Sequence, residues 1–118
     1  MAYADGFVIV VSKKKIAEYK AVARKAGKVW RDHGCLDYKE CVGEDIKTSF
    51  GVPFPKLAKT KPNETVVFSW ILYKSRKHRD AVNAKVMADP RMAKMMKEPM
   101  PFDMKRFSHG GFTVIVDA

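Results

Sequence analysis

The stretch Thr65-Val-Val-Phe-Ser-Trp-Ile-Leu-Tyr73 is β-branched, aromatic and aliphatic throughout, with one small polar break at Ser69. That composition and length predict a strand rather than a helix. Side chains alternate along a strand, so Val66, Phe68, Trp70 and Leu72 share one face, while Val67, Ile71 and Tyr73 share the other. Both faces are apolar. Such a strand must be covered on both sides.

Working outward, Tyr3–Val11 (Y-A-D-G-F-V-I-V-V) is a first strand, apolar on both faces from Phe7 onward. Ser12 then suits an N-cap. A helix over Lys14–His33 follows, with Ile16, Tyr19, Ala23, Ala26 and Trp30 as its buried stripe and Gly34 as its stop. Cys35–Val42 alternates well enough for a half-polar edge strand, with Leu36, Tyr38, Glu40 and Val42 on one face. Residues 43–64 form a long connection in which Phe50, Val52, Phe54 and Leu57 need burial against the core or a second subunit. Beyond the central strand, Ser75 caps a helix over Arg76–Ala88 that turns His78, Val82 and Val86 inward. Asp89-Pro90 starts a short helix carrying Met92, Met95 and Met96, and Phe112–Val116 is the last strand. Asp103 and Arg106, just before that strand, are placed to form a structural ion pair.

The order is β-α-β-β-α-β. The fold class it predicts is α+β, a ferredoxin-like sandwich with a four-stranded antiparallel sheet and its helices on one face. On this reading the first and third strands are central neighbours and run parallel. The face opposite the helices is then bare yet carries large apolar side chains. Burying four of them is worth roughly 6–12 kcal/mol, so a second copy packed sheet to sheet is expected, giving a homodimer.

Composition sets limits on what else the chain can be. At 118 residues and 47% hydrophobic content, it is expected to be one domain over 1–118 that needs no disulfide or metal staple. No apolar run is long enough to span a bilayer, the N-terminus is not a signal peptide, and a cytosolic protein is expected. Cys35 and Cys41 bracket a strand that would hold them roughly 20 Å apart, too far for a disulfide. With His33, His78 and His109 scattered, no zinc site or other cofactor is expected. The net charge of +10 favours anionic partners, but no nucleic-acid-binding motif accompanies it.

The run Tyr73-Lys-Ser-Arg-Lys-His-Arg-Asp-Ala-Val-Asn-Ala-Lys-Val-Met-Ala-Asp-Pro-Arg-Met92 is similar to the matching run of the YbaA-like family of bacterial proteins. So are Pro101-Phe-Asp-Met-Lys-Arg106, Gly110-Gly-Phe112 and Tyr3-Ala-Asp-Gly-Phe7. The resemblance covers nearly the whole chain and implies a family of unknown function in the dimeric α/β-barrel superfamily. Haem-degrading members of that superfamily use an Asn, a Trp and a His. Trp70 and His78 fall in similar places here, but the first strand has no Asn.

Two functional classes remain open. One is a small-ligand-binding protein or cofactor-independent enzyme, with a pocket between helices and sheet lined by Trp70, Tyr73, His78, Met92 and Met96. His78 is its candidate for chemistry, against the competing reading of a satisfied core histidine. The other is an anion- or RNA-binding module. If the two helices start at one sheet edge, Ser12, Lys14, Lys15, Ser75, Arg76 and Arg79 converge there on two positive helix ends. A solvated charged edge is the alternative.

Overall fold

The computed structural model describes residues 1–118. Strand β1 (Tyr3–Ser12) leads through a turn of 3-10 helix at Lys13–Lys15 into α1 (Ile16–Asp32). Then come β2 (Asp37–Val42), the short α2 (Phe54–Ala58) and β3 (Glu64–Tyr73). Helices α3 (Arg76–Ala88) and α4 (Pro90–Met96) precede β4 (Ser108–Thr113). The strands lie in the order β2-β3-β1-β4, with every neighbouring pair antiparallel. This is the ferredoxin-like sheet, with the predicted half-polar strand β2 at its edge.

The β1–β3 pairing corrects the parallel placement. Ser12 pairs with Glu64 and Tyr3 with Tyr73, so the two strands run in opposite directions. The reason lies in the connections. A crossover returns β2 in the direction of β1, and the return from β2 to β3 reverses it again. Helix α1 therefore starts at one end of the sheet and α3 at the other.

Most element ends fall where the sequence puts them. Ser75 Oγ accepts from the His78 N–H at 3.1 Å, and Asp89 accepts from the Arg91 N–H at 2.9 Å, so both caps form. Ser12 makes no side-chain cap, because a 3-10 turn intervenes before α1. Strand β4 starts at Ser108 rather than Phe112, since β1 sets its register through Gly6 opposite Gly110 and Phe7 opposite His109.

Ile9, Val11, Val67 and Ile71 on the sheet pack with Tyr19, Ala23 and Val29 of α1 and Val82 and Val86 of α3 in the core. Helix α4 is moored to the end of α1 through Asp89. Its carboxylate takes His33 at 2.8 Å and Arg91 at 2.8 Å, and Arg91 also reaches Asp32 at 2.8 Å. Hydrogen bonds from Arg91 first, and then from His33, hold the Asp89 carboxyl well below the usual range.

The opposite face carries Val8, Phe68, Trp70, Leu72 and Phe112, as the alternation in register requires. Only α2 of the long connection reaches it, with the Phe54 ring 6.2 Å from that of Phe68. Phe68 remains 44% exposed, Phe112 61% and Phe50 92%. The burial predicted for Phe50, Val52, Phe54 and Leu57 is thus not supplied by the chain's own core.

Candidate functional site

A cavity of about 170 Å³ lies between the helix-facing side of the sheet and the layer formed by α1, α4 and residues 97–107. Phe7, Ile9, Ser69 and Ile71 form its floor, Ala23, Ala26 and Trp30 one wall, and Met92, Met95, Met100, Phe102 and Phe107 the roof. The sequence builds it by alternation. Phe7 and Ile9 on β1 and Ser69 and Ile71 on β3 all point to the helices, and small residues on α1 (Ala23, Ala26) leave the space. Methionine, unbranched and adaptable, suits the roof.

One carboxylate enters this apolar space. Glu40, opposite Ser69 in the sheet register, is the only charged residue that lines the cavity. Tyr19 donates to its Oε1 at 2.7 Å and Tyr38 to its Oε2 at 2.6 Å. Burial, reinforced by the Glu40 charge, pushes both phenols far above their ordinary value, so they stay protonated donors. Tyr38 reaches this position because Gly27 of α1 lets its ring lie against the helix. A Cβ at Gly27 would stand 2.9 Å from that ring. Outside these three residues, a wider groove of about 620 Å³ between α1 and β2 meets the cavity, with Lys20, Arg24 and Arg31 on its rim. The set can accept a hydrogen bond or a proton from a ligand; it contains no activated nucleophile.

Of the predicted pocket residues, Met92 lines the cavity, and Tyr73 is fully buried in the same core but does not line it. Trp70 is on the far side of the sheet, in register with Gly6 and Lys39, because it alternates with Ser69 and Ile71. Met96 points to solvent at 62% exposure. His78 does not line the cavity. Its Nδ1 accepts the Lys74 N–H at 3.0 Å, and its ring stands edge-on to Tyr73 with centroids 6.0 Å apart. Of the five residues Trp70, Tyr73, His78, Met92 and Met96, the structure brings only Met92 to this cavity.

The single basic edge does not form. Ser12, Lys14 and Lys15 are at one end of the central strands and Ser75, Arg76 and Arg79 at the other, about 30 Å apart over ten residues of strand. Arg79 is also committed, pairing with Asp5 at 2.6 Å and Asp80 at 2.7 Å.

Sequence reading missed Glu40 as a site residue and placed it only on a strand face. The signal was there: Tyr38 and Glu40 share the face that Tyr19 packs on.

Arg106 pairs not with Asp103 but with Glu64, at 2.7 and 2.9 Å, and also donates to the Lys59 carbonyl at 2.8 Å. Asp103 instead accepts from the Lys105 N–H at 2.9 Å. Arg106 first, and then the Lys61 N–H, lower the Glu64 carboxyl from 4.5 to about 2. A depressed carboxyl contributes stability that is present above its unfolded value and lost as pH falls through its folded one. Arg106→Met should therefore lower the melting temperature near pH 6, where the pair is intact. The gap to the parent chain should close between pH 4.5 and pH 2. A gap as wide at pH 2 as at pH 6 would discard the assignment.

The fold and cavity define an α+β, ferredoxin-like chain with a pocket between its sheet and helices. The chain belongs to the family described as "Protein of unknown function (DUF1428)", whose profile matches residues 2–104. It is 44% identical over 117 residues to the uncharacterized protein YbaA of Escherichia coli strain K12, covering 99% of each chain. YbaA of Shigella flexneri matches to the same extent. Among solved structures it is similar to SnoaB, a cofactor-independent oxygenase from Streptomyces nogalater. The TM-score is 0.63 at 13% identity, over 98% of this chain and 95% of that one. A dimeric ferredoxin-like protein from an uncultured marine organism superposes over 100% of both chains, with a TM-score of 0.56 at 12% identity. At these identities the structural likeness establishes the fold. No helix is long and apolar enough to cross a membrane.

Proposed function

We propose that this chain is a cytosolic, homodimeric small-ligand-binding protein that holds its ligand between the sheet and helices α1 and α4. The observation that carries the reading is the 170 Å³ cavity, apolar but for Glu40 and Ser69. A dry apolar cavity of about 150 Å³ is enough to take up benzene, so this one suits a single-ring or similarly compact ligand. The bare sheet face supports the dimer, and free Cys35 and Cys41 suit a reducing compartment. The separation of the two helix N-termini removes the support for an anion- or RNA-binding edge. Any reaction in the cavity would run through Glu40 as proton acceptor.

A thermal-shift screen of compact aromatic compounds at low and high salt tests the reading. A ligand at about 100 times its Kd stabilises by about 2.7 kcal/mol. The shift should be the same in both salts, because little of the contact is with surface charge. Ala26→Phe fills the cavity from α1 and should abolish the shift. Stabilisation by polyanions alone, at low salt alone, would reject the cavity in favour of the basic surface.

A further inference from the structure

We infer that the cavity selects a small organic amine, bound as its ammonium, with Glu40 as the anchor. The inference rests on the cavity reading above and names the chemistry of its ligand. The argument starts from what the lining can offer. An ionised carboxylate only accepts hydrogen bonds, and each of its oxygens has more than one acceptor direction. Tyr19 and Tyr38 use one direction on each oxygen and leave the others free. The two phenol protons are spent on Glu40, and the Trp30 Nε1–H is spent on Asn83 at 3.1 Å. Among the polar groups facing the space, only the Ser69 hydroxyl can donate as well as accept.

Charge sharpens the choice. In a chain of net charge +10, no lysine or arginine lines this cavity, and Glu40 is its one charge. Glu40 is half-buried at the mouth between the cavity and the outer groove, and the two phenols fill only part of its capacity to accept hydrogen bonds. An ammonium supplies both the charge and the missing N–H groups. The rest of the wall suits the same ligand, because aromatic faces attract cations. Phe7, Tyr19, Trp30, Tyr38, Phe102 and Phe107 bring six aromatic rings to a space sized for one. A ligand carboxylate or phosphate would face Glu40 with no counter-charge inside the cavity. Lys20, Arg24 and Arg31 stand on the outer groove instead. The overall positive charge acts from the surface and is screened within about 8 Å at physiological salt.

The test is calorimetry on the full-length chain with three probes of matched body: phenethylamine, 2-phenylethanol and phenylacetate. The expected order is amine, then alcohol, then acid, with the amine at least about tenfold tighter than the alcohol. Glu40→Gln, checked for folding by its melting curve, should bring the amine down to the affinity of the alcohol. An alcohol as tight as the amine, an acid tighter than either, or an amine preference that survives Glu40→Gln would overturn the inference and leave the cavity reading intact. No binding by any of the three would overturn both. The comparison of probes on the unmodified chain decides the matter even if Glu40→Gln fails to fold.

Discussion

Trp70→Asp should convert the proposed dimer into a folded monomer. Trp70 sits in the middle of the sheet face opposite the helices, with Gly6 beside it on β1 and Lys39 on β2. Its ring is 5.8 Å from that of Phe68, which in turn touches Phe54 of the long connection. Phe112 lies over Gly6, close enough that a Cβ there would stand 3.2 Å from its ring. Phe50, Val52 and Leu57 of the connection and Ile115 and Val116 beyond β4 are exposed as well. Exposed apolar residues on that scale, contiguous across a sheet, mark an interface. A central tryptophan is the residue type that most often dominates one, and a desolvated, unpaired carboxylate in its place costs several kcal/mol more. The dissociation constant should rise at least about a thousandfold, equal to about 4 kcal/mol. The monomer should survive, because Trp70 belongs to neither buried core cluster. Light scattering at matched protomer concentration reads the mass, with Trp70→Phe expected to remain dimeric.

Cys41 supplies a second readout on the same face. It is exposed in the single chain, pairs with Phe68 in register and has no disulfide partner. In the dimer it should react slowly with a thiol reagent, and in Trp70→Asp quickly. Cys35 should stay inert in both, since burial pushes its thiol up. A Trp70→Asp chain that scatters as a stable dimer would show that the partner sits elsewhere.

The sheet and its bare apolar face were legible because both rest on alternation, a local property. Val66, Phe68, Trp70 and Leu72 could only be on the same face, and the structure keeps them there. Strand direction is not local. Whether β1 and β3 run parallel depends on the sense of each connection, and reading that sense wrongly merged two helix ends that are a sheet's length apart. The same error put Ser12 and Ser75 in one site. Trp70 was drawn into a pocket by its chemistry, although its own alternation with Ile71 sends it to the other face. The cavity itself was hidden for another reason. It is an absence of atoms, left by Ala23 and Ala26 where larger residues would have filled the stripe. Glu40 looked like an ordinary edge-strand charge until Tyr19, twenty-one residues earlier, was found donating to it.

Asn83→Leu should cost about 2–6 kcal/mol of stability, against a total of about 5–15 for a domain of this kind. The residue looks unremarkable in sequence, a polar position between Val82 and Val86 on α3. Its Oδ1, however, accepts two hydrogen bonds, from Trp30 Nε1–H at 3.1 Å and from the Tyr73 hydroxyl at 3.2 Å. Tyr73 is fully buried at the end of β3, and Trp30 forms part of the cavity wall. Leucine fills the space but accepts nothing, so the buried Tyr73 hydroxyl and the half-buried Trp30 N–H both lose this partner, at about 1–3 kcal/mol each. The melting temperature should fall by 10 °C or more at the middle of that range, measured at fixed protomer concentration so that dimerisation does not enter. Asn83→Asp retains both acceptor contacts and should be milder. Adding Tyr73→Phe to Asn83→Leu removes one stranded donor and should restore part of the loss, so the two substitutions combine to less than their sum. The effect should also reach the ligand. Trp30 would no longer be held at its indole nitrogen, and affinity for the cavity probes should weaken even at temperatures where the variant is folded. An Asn83→Leu chain within about 0.5 kcal/mol of the parent would mean that Trp30 and Tyr73 find other acceptors, and that the cavity wall is not anchored through α3.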